Sequence, residues 1–290
     1  MTDIPGPPDS SDAPDAPDAP DAPDAPDAPD APDAPDASHA GVARRAELAR
    51  NLAAVEERIS RACADAGRSR DEVRLIVVTK FFPPSDVAHL LALGVRDVGE
   101  SRAQEATEKF ADDELNVRHR GAGCGEDLLV TTHFIGQVQT NKAAAVVGWA
   151  DVVHAVDRPK LVAALDRAAG TARKSVGVLV QVALDADEQD DGADDGRAGV
   201  RPADADGLAD AVAECPHLDL AGVMAVAPRD ADPDVAFGRL AEVARGIRER
   251  HPDATWVSAG MSGDLEAAIR HGATHLRVGT AILGSRPTLR

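Results

Sequence analysis

The chain has 290 residues, 43% of them hydrophobic, and carries 31 basic against 50 acidic side chains, a formal charge of −19. The first 40 residues contribute 11 aspartates and no lysine or arginine, so the remainder is only mildly acidic and long enough to bury a full core. No basic stripe favours nucleic-acid binding through phosphate neutralisation, and no apolar run reaches the ~18 residues of a membrane span.

The compartment is indicated by the N-terminus and the cysteines. The N-terminus has neither the basic region nor the apolar region of a signal peptide. Three cysteines, Cys63, Cys124 and Cys215, are odd in number and far apart, which fits free thiols and neither a disulfide framework nor a zinc site. We therefore expect a cytoplasmic protein without a structural metal.

The N-terminal segment is a low-complexity repeat in which the triplet Asp-Ala-Pro occurs eight times over residues 12–35. Proline at every third position blocks helix and sheet hydrogen bonding, and the like charges repel one another. The sequence predicts a disordered acidic tail over residues 1–40 and one domain over residues 41–290. Docking of the tail on a basic partner is the alternative.

The first element after the tail is a helix predicted over residues 42–66, ended by Gly67. Four apolar residues share one helical face: Leu48, Leu52, Val55 and Ile59. Beyond it, apolar β-branched runs alternate with amphipathic stretches. The predicted strands are residues 75–79, 95–98, 133–135, 152–156, 176–182, 220–226, 255–258 and 276–278. The predicted helices between them are residues 85–93, 101–110, 141–149, 158–169, 203–214, 233–250 and 263–271.

Eight alternating strands and helices predict an α/β fold, a closed (β/α)8 TIM barrel, and the length agrees with the ~250 residues that this fold needs. An open doubly wound sheet is the alternative. Residues 111–131 and 185–206 are polar and are expected to be loop insertions. The second is rich in aspartate, but it lacks the ligand spacing of a calcium loop, so a solvated acidic loop is favoured.

Active sites of such barrels lie at the carboxyl ends of the strands. Lys80 ends the first predicted strand and is one of only five lysines. A lysine at the rim is partly buried, and burial favours the neutral amine that reacts with aldehydes. A salt bridge with Glu100 is an alternative of similar weight. Lys109, Lys160 and Lys174 lie on predicted helices or their ends, where a solvated surface position is expected.

Two glycine-containing turns follow the last two predicted strands, at residues 260–263 and 279–280. Their backbone N–H groups, with the hydroxyls of Ser262 and Thr280, can bind a phosphate. Phosphate at one end and an aldehyde at the other describe pyridoxal 5′-phosphate (PLP). Arg277 then lies near the pyridine nitrogen, with a buried ion pair to a barrel carboxylate as the alternative.

With these residues the sequence resembles the PLP homeostasis protein family (YggS/PROSC type), whose members are a single barrel like the N-terminal domain of alanine racemase. The matching segments are residues 75–80 (LIVVTK), 98–105 (VGESRAQE), 133–142 (HFIGQVQTNK), 153–157 (VHAVD), 222–228 (GVMAVAP), 260–268 (GMSGDLEAA) and 276–284 (LRVGTAILG). The resemblance implies these cofactor-binding residues: Lys80 for the Schiff base, Ser262, Gly279 and Thr280 for the phosphate, Arg277 for the ring nitrogen, and Ser258 and Met261 in the pocket wall. The chain departs from the family at Ser101, often asparagine, and at Phe81 and Phe82, where a second lysine is frequent.

Three functions fit this pattern: reversible binding and delivery of PLP, a PLP-dependent racemase, and binding of another phosphorylated metabolite. Lys80 argues against the last. The racemases of this type use a tyrosine from a second domain as their second base, and this sequence contains no tyrosine and ends at Arg290, soon after the last strand. We expect a PLP carrier without efficient catalysis, whose partners are apo forms of PLP-dependent enzymes and neither nucleic acid nor membrane. If catalysis occurs, His133 is the first candidate for the missing base.

Overall fold

Eight parallel strands close into a barrel in which each strand pairs with the next and the last pairs with the first. The computed structural model describes residues 37–111, 130–184 and 199–285. The strands are β1 (Arg74–Val78), β2 (Asp97–Glu100), β3 (Thr131–Phe134), β4 (Val152–Val156), β5 (Val176–Gln181), β6 (Leu218–Met224), β7 (Trp256–Ser258) and β8 (His275–Val278). The (β/α)8 prediction is confirmed, and the open sheet is excluded by the pairing of β8 with β1.

Helices alternate with the strands, as the predicted pattern requires. They are α1 (Ala37–Asp65), α2 (Pro84–Ala92), α3 (Ala103–Ala111), α4 (Ala143–Val147), α5 (Pro159–Ala172), α6 (Ala205–Ala213), α7 (Pro233–Arg250), α8 (Leu265–Arg270) and α9 (Thr280–Leu283). The predicted helix at residues 141–149 is instead a 3₁₀ turn, Thr140–Lys142, followed by the five residues of α4. Helix α9 was not predicted because four residues are too few to show a helical period.

The predicted loop at residues 185–206 is wrong at its C-terminal end. There Pro202–Asp204 forms a 3₁₀ turn, α6 begins at Ala205, and Val200 pairs with Val182 next to β5. Residues 185–198, most of the insertion at residues 111–131, and the predicted acidic tail up to residue 36 lie outside the described part of the chain.

The apolar core has two parts. The larger cluster joins the strands to the surrounding helices and includes Leu48, Val55 and Ile59 of α1, which confirms the predicted apolar face of that helix. The smaller cluster consists of strand residues alone: Val152, Ala155, Leu179 and Met224. Strands buried on both faces explain why most of the predicted runs are continuously apolar rather than alternating.

Helix α1 braces the first and last βα units. Arg44 lies 2.7 Å from Asp86 on α2 and donates to the carbonyl of Leu283 on α9 at 3.0 Å. Arg58 pairs with Glu266 on α8 at 2.5 Å. These ion pairs connect the elements around the β8–β1 seam. Among the described residues, no helix has the length and apolarity needed to cross a membrane.

Candidate functional site

The residues predicted to bind a cofactor lie at the carboxyl ends of three adjacent strands. They meet there because β8 pairs with β7 on one side and with β1 on the other. They are placed as follows: Lys80 half-buried in the turn after β1, Ser258 at the end of β7, Met261 and Ser262 in the turn after β7, Arg277 within β8, and Gly279 and Thr280 between β8 and α9.

The buried Arg277 guanidinium is the central group of this site. It donates to Ser258 Oγ at 2.6 Å and to the carbonyl of Ala225 at 2.9 Å, so it spans the ends of β6 and β7. Both acceptors are neutral, and the alternative of an ion pair with a barrel carboxylate is therefore wrong. Burial lowers the pKa of Arg277 to about 10. The group stays cationic at neutral pH and retains N–H donors for a further acceptor.

Ser258 connects Arg277 to three further polar residues that are buried inside the barrel. His154 Nδ1 lies 2.9 Å from Ser258 Oγ, His154 Nε2 lies 2.9 Å from His133 Nδ1, and His133 Nε2 lies 3.0 Å from Asp97 Oδ1. We call these five residues the interior relay. It runs from the amino end of β2 to the carboxyl ends of β7 and β8.

Two members of the interior relay, Asp97 and His154, were not identified as site residues from the sequence. His133 was given only the role of a base. The signal that could have found them is a histidine inside each of two neighbouring buried strands. Both ring nitrogens of His133 are engaged within the relay, and its side chain is shielded from solvent. Burial holds the pKa of His154 well below its ordinary value.

The turn that carries Lys80 is fixed on both sides. Thr79 donates through its hydroxyl to Glu100 at 2.7 Å, and its amide donates to the carbonyl of Gly99 at 2.9 Å. On the other side, the amide of Phe81 donates to Glu105 of α3 at 2.5 Å. Phe81 has a φ of 71°, a left-handed conformation that is uncommon for a non-glycine residue and needs such support.

Lys109 lies beneath this turn, which corrects its predicted surface position. It is 5% exposed, and its amine donates to Glu100 Oε1 at 2.6 Å and to the carbonyl of Thr79 at 3.0 Å. Burial raises the pKa of Glu100, and the positive charge of Lys109 opposes that rise. The fully buried Glu100 is therefore neutralised from α3. The signal in the sequence is that Lys109 lies three residues after the apolar Ala106 and so shares its face of the predicted helix.

The turn after β7 is shaped by a glycine and braced from α1. Gly260 has a φ of +91°, and a Cβ there would lie 2.7 Å from Ala268 Cβ, so a larger residue is excluded. Arg58 donates to the carbonyl of Ser262 at 2.6 Å, and Asp264 accepts from the amide of Met261 at 2.6 Å. These contacts fix the backbone and leave the Ser262 hydroxyl outside the bonds that hold the turn.

The turn after β8 leads directly into α9. The amides of Ile282 and Leu283 both donate to the carbonyl of Gly279 at 2.9 Å and begin the helical bonds. The preceding amides, those of Thr280 and Ala281, lie in the first turn, where a helix supplies no acceptor. This end of the barrel thus offers backbone donors next to the Thr280 hydroxyl, an arrangement that can bind an anion.

Comparison with known proteins identifies the family to which the chain belongs. The sequence model described as "Alanine racemase, N-terminal domain" matches residues 50–287. A Mycobacterium tuberculosis protein named "Pyridoxal phosphate homeostasis protein" is 44% identical over 249 residues, which cover 84% of this chain and 94% of that protein. The Escherichia coli protein of the same name is 36% identical over 250 residues, 83% of this chain and 97% of that protein.

Among solved structures, PipY of Synechococcus elongatus with PLP bound is similar to this chain with a TM-score of 0.66 and 30% sequence identity. The similarity covers 82% of this chain and all of PipY. The likeness therefore extends over nearly the whole described barrel.

Proposed function

Because this chain belongs to the pyridoxal phosphate homeostasis protein family, whose fold it shares, we propose that it binds PLP reversibly at the carboxyl end of its barrel and buffers or delivers it. The observation that carries the proposal is the buried Arg277 cation, held by two neutral acceptors at the ends of β6 and β7. Such a guanidinium can donate to an unprotonated pyridine nitrogen without being neutralised by a carboxylate.

The surrounding residues fit the remaining groups of PLP. The half-buried Lys80 follows β1, whose residue Val78 lies next to Gly279: a Cβ on Gly279 would be 3.1 Å from the carbonyl of Val78. The backbone that leads to Lys80 thus lies against the β8–α9 turn, so one small ligand at this rim can reach both. When bound, PLP supplies an aldehyde that condenses with an amine and releases water.

We assign each residue a role on this basis. Lys80 holds the aldehyde covalently, and Arg277 donates to the ring nitrogen. The phosphate is bound by Ser262, Gly279 and Thr280, and the pocket wall includes Ser258 and Met261. The domain includes all of α1 and so extends over residues 37–290, and the acidic residues 1–36 are not part of the site.

Delivery of PLP to apo PLP-dependent enzymes is the activity that we propose instead of catalysis. A cytoplasmic location agrees with the thiols: Cys63 and Cys215 form no disulfide, and burial raises the pKa of both, which disfavours their oxidation. The racemase alternative rests on the shared fold alone, since this sequence has no tyrosine to act as the second base.

Transfer of PLP tests the proposal directly. The PLP-loaded protein, freed of unbound PLP, is mixed with an apo PLP-dependent enzyme whose activity is followed in time. We expect activity to return, and the Lys80→Ala protein to transfer at a different rate, whereas Lys160→Ala, on the exposed side of α5, behaves as the unaltered protein. Failure to restore activity while PLP remains bound contradicts delivery.

Borohydride reduction followed by peptide mapping tests the assignment of Lys80. Reduction fixes a PLP-bound lysine permanently, so the modified peptide identifies it. We expect the label on Lys80. A label on Lys109 or Lys142 instead contradicts the assignment while leaving PLP binding intact.

A further inference from the structure

The interior relay has a direction that follows from its two ends. A carboxylate such as that of Asp97 only accepts hydrogen bonds, whereas the guanidinium of Arg277 only donates them. Each of the three groups between them bonds to both neighbours. His133 Nε2 must therefore carry a hydrogen, because it faces Asp97, and Ser258 Oγ must accept, because it faces Arg277.

With both imidazoles neutral, one arrangement satisfies every contact. His133 Nδ1 accepts from the Nε2–H of His154, and His154 Nδ1 accepts from the hydroxyl of Ser258. The lowered pKa of His154 agrees with a neutral ring.

We propose that Asp97, His133 and His154 are positioning residues that commit the Ser258 hydroxyl hydrogen to His154 and thereby present Arg277, rather than Ser258, as the donor to the cofactor's ring nitrogen. The part of this inference that concerns the ring nitrogen rests on the proposed PLP-binding function. Ser258 acts through Arg277, because its oxygen accepts from the guanidinium and its hydrogen points away toward the barrel interior. Asp97, at the far end of the barrel, thus sets the direction of the hydrogen bonds that end at Ser258 and Arg277.

The first test measures the tautomers in the full-length protein without PLP. Long-range ¹H–¹⁵N NMR spectra distinguish protonated from unprotonated imidazole nitrogens, and His133→Gln and His154→Gln proteins assign the signals. We expect hydrogen on Nε2 and none on Nδ1 for both histidines. An Nδ1–H tautomer or a doubly protonated ring at either position overturns the inference, whether or not the protein binds PLP.

The second test uses Asp97→Asn, whose carboxamide can either donate or accept and no longer fixes the direction. Binding of PLP is compared with binding of its 1-deaza analogue, in which C–H replaces the ring nitrogen. We expect Asp97→Asn to weaken PLP binding about threefold to tenfold, as for one hydrogen bond, and to leave analogue binding unchanged. The control is Asp219→Asn, an exposed aspartate of β6, which should affect neither ligand.

The outcomes separate this inference from the proposed function. Equal loss of both ligands in Asp97→Asn, or no loss of either, contradicts positioning through Arg277. If the unaltered protein binds no PLP at all, the proposed function fails, and the tautomer measurement alone decides the relay. If Asp97→Asn does not fold, the tautomers of the unaltered protein again give the answer.

Discussion

Lys109 Nζ lies 2.6 Å from Glu100 Oε1, and both side chains are buried beneath the turn that carries Lys80. The contact joins α3 to the end of β2, and a second bond from the same amine reaches the carbonyl of Thr79 at the end of β1. An ion pair in this position is sensitive to the loss of one partner, because the other charge is then left buried and uncompensated.

Replacement of this lysine by Lys109→Met should therefore destabilise the protein by about 3–5 kcal/mol. The measurement is the free energy of unfolding from urea denaturation. The double replacement Lys109→Met with Glu100→Gln should recover much of the loss, since no fully buried charge remains. The second carboxylate near the lysine, that of Glu105 at 3.4 Å, is partly exposed to solvent. As a control, Lys160→Met on the exposed side of α5 should change stability by less than about 0.5 kcal/mol. A single variant as stable as the control contradicts this account of the pair.

The sequence predicted the barrel well because local signals agree with the fold. Each predicted run of β-branched residues became a strand that starts within two residues of its predicted start. Residues 95–98 look like a strand in sequence, yet β2 is Asp97–Glu100, since the charged Glu100 is buried in the barrel by its pairing with Lys109. Burial of a charge depends on a partner that a local pattern does not contain.

The interior relay could not be predicted for a similar reason. His133 and His154 belong to segments that were recognised as family motifs, but their contact with Asp97 and Ser258 requires strands that are brought together by closure of the barrel. The stagger between neighbouring strands decides which side chains lie at the same height inside the barrel. This stagger cannot be read from the sequence. The residues that follow each strand were predictable as site residues, because in every barrel of this class they lie together at the carboxyl-terminal rim.

The phosphate assignment predicts a selective loss of affinity. The double replacement Ser262→Ala with Thr280→Ala should weaken PLP binding more than pyridoxal binding, because only PLP carries the phosphate. Each bond to a charged group is worth roughly 1.5–3 kcal/mol. Thr171→Ala removes a hydroxyl from the exposed face of α5 and serves as the control. Equal losses for the two ligands, measured by fluorescence titration, place the phosphate elsewhere.

Stability should fall as the pH is lowered from about 7 to 5. Burial lowers the pKa of His275 to about 3, and burial lowers that of His154 as well. In the unfolded chain a histidine has a pKa of about 6.5 and binds a proton that the folded protein does not. Between those values the unfolded state binds more protons, so stability rises with pH by up to about 1.4 kcal/mol per unit for each such group.

Urea denaturation at pH 7.5, 6.0 and 5.0 measures this dependence. His275→Gln should reduce the slope, because glutamine does not titrate, and His217→Gln, an exposed position, should leave it unchanged. The carboxyls of Asp210 and Asp234, whose pKa values are lowered by hydrogen bonds from basic partners, titrate below this range. An unchanged slope in His275→Gln contradicts the assigned cause.

Removal of residues 1–36 should leave both folding and PLP binding intact. Within the described residues, the side-chain bonds of α1 to the barrel begin at Arg44, which contacts Asp86 and the carbonyl of Leu283. The removed residues are dominated by aspartate, alanine and proline and offer little apolar surface to bury. Thermal unfolding and PLP titration of the shortened chain check this, and a clear loss in either shows that the tail contributes to the domain.

Amino-acid turnover distinguishes a carrier from an enzyme. Efficient two-base racemisation needs a base on each side of the substrate carbon, and Lys80 can supply only one. His133 is unsuited to supply the other, because it is fully buried, both its nitrogens are occupied, and His154 and Ser258 separate it from Arg277. We expect no sustained interconversion of the D- and L-enantiomers of any amino acid at rates of about 1–10³ s⁻¹, the usual range of enzymes. An alanine racemase assayed in parallel controls the method. Turnover in that range overturns the carrier proposal, and its persistence in His133→Gln then directs the search for the second base away from the interior relay and toward the residues of the rim.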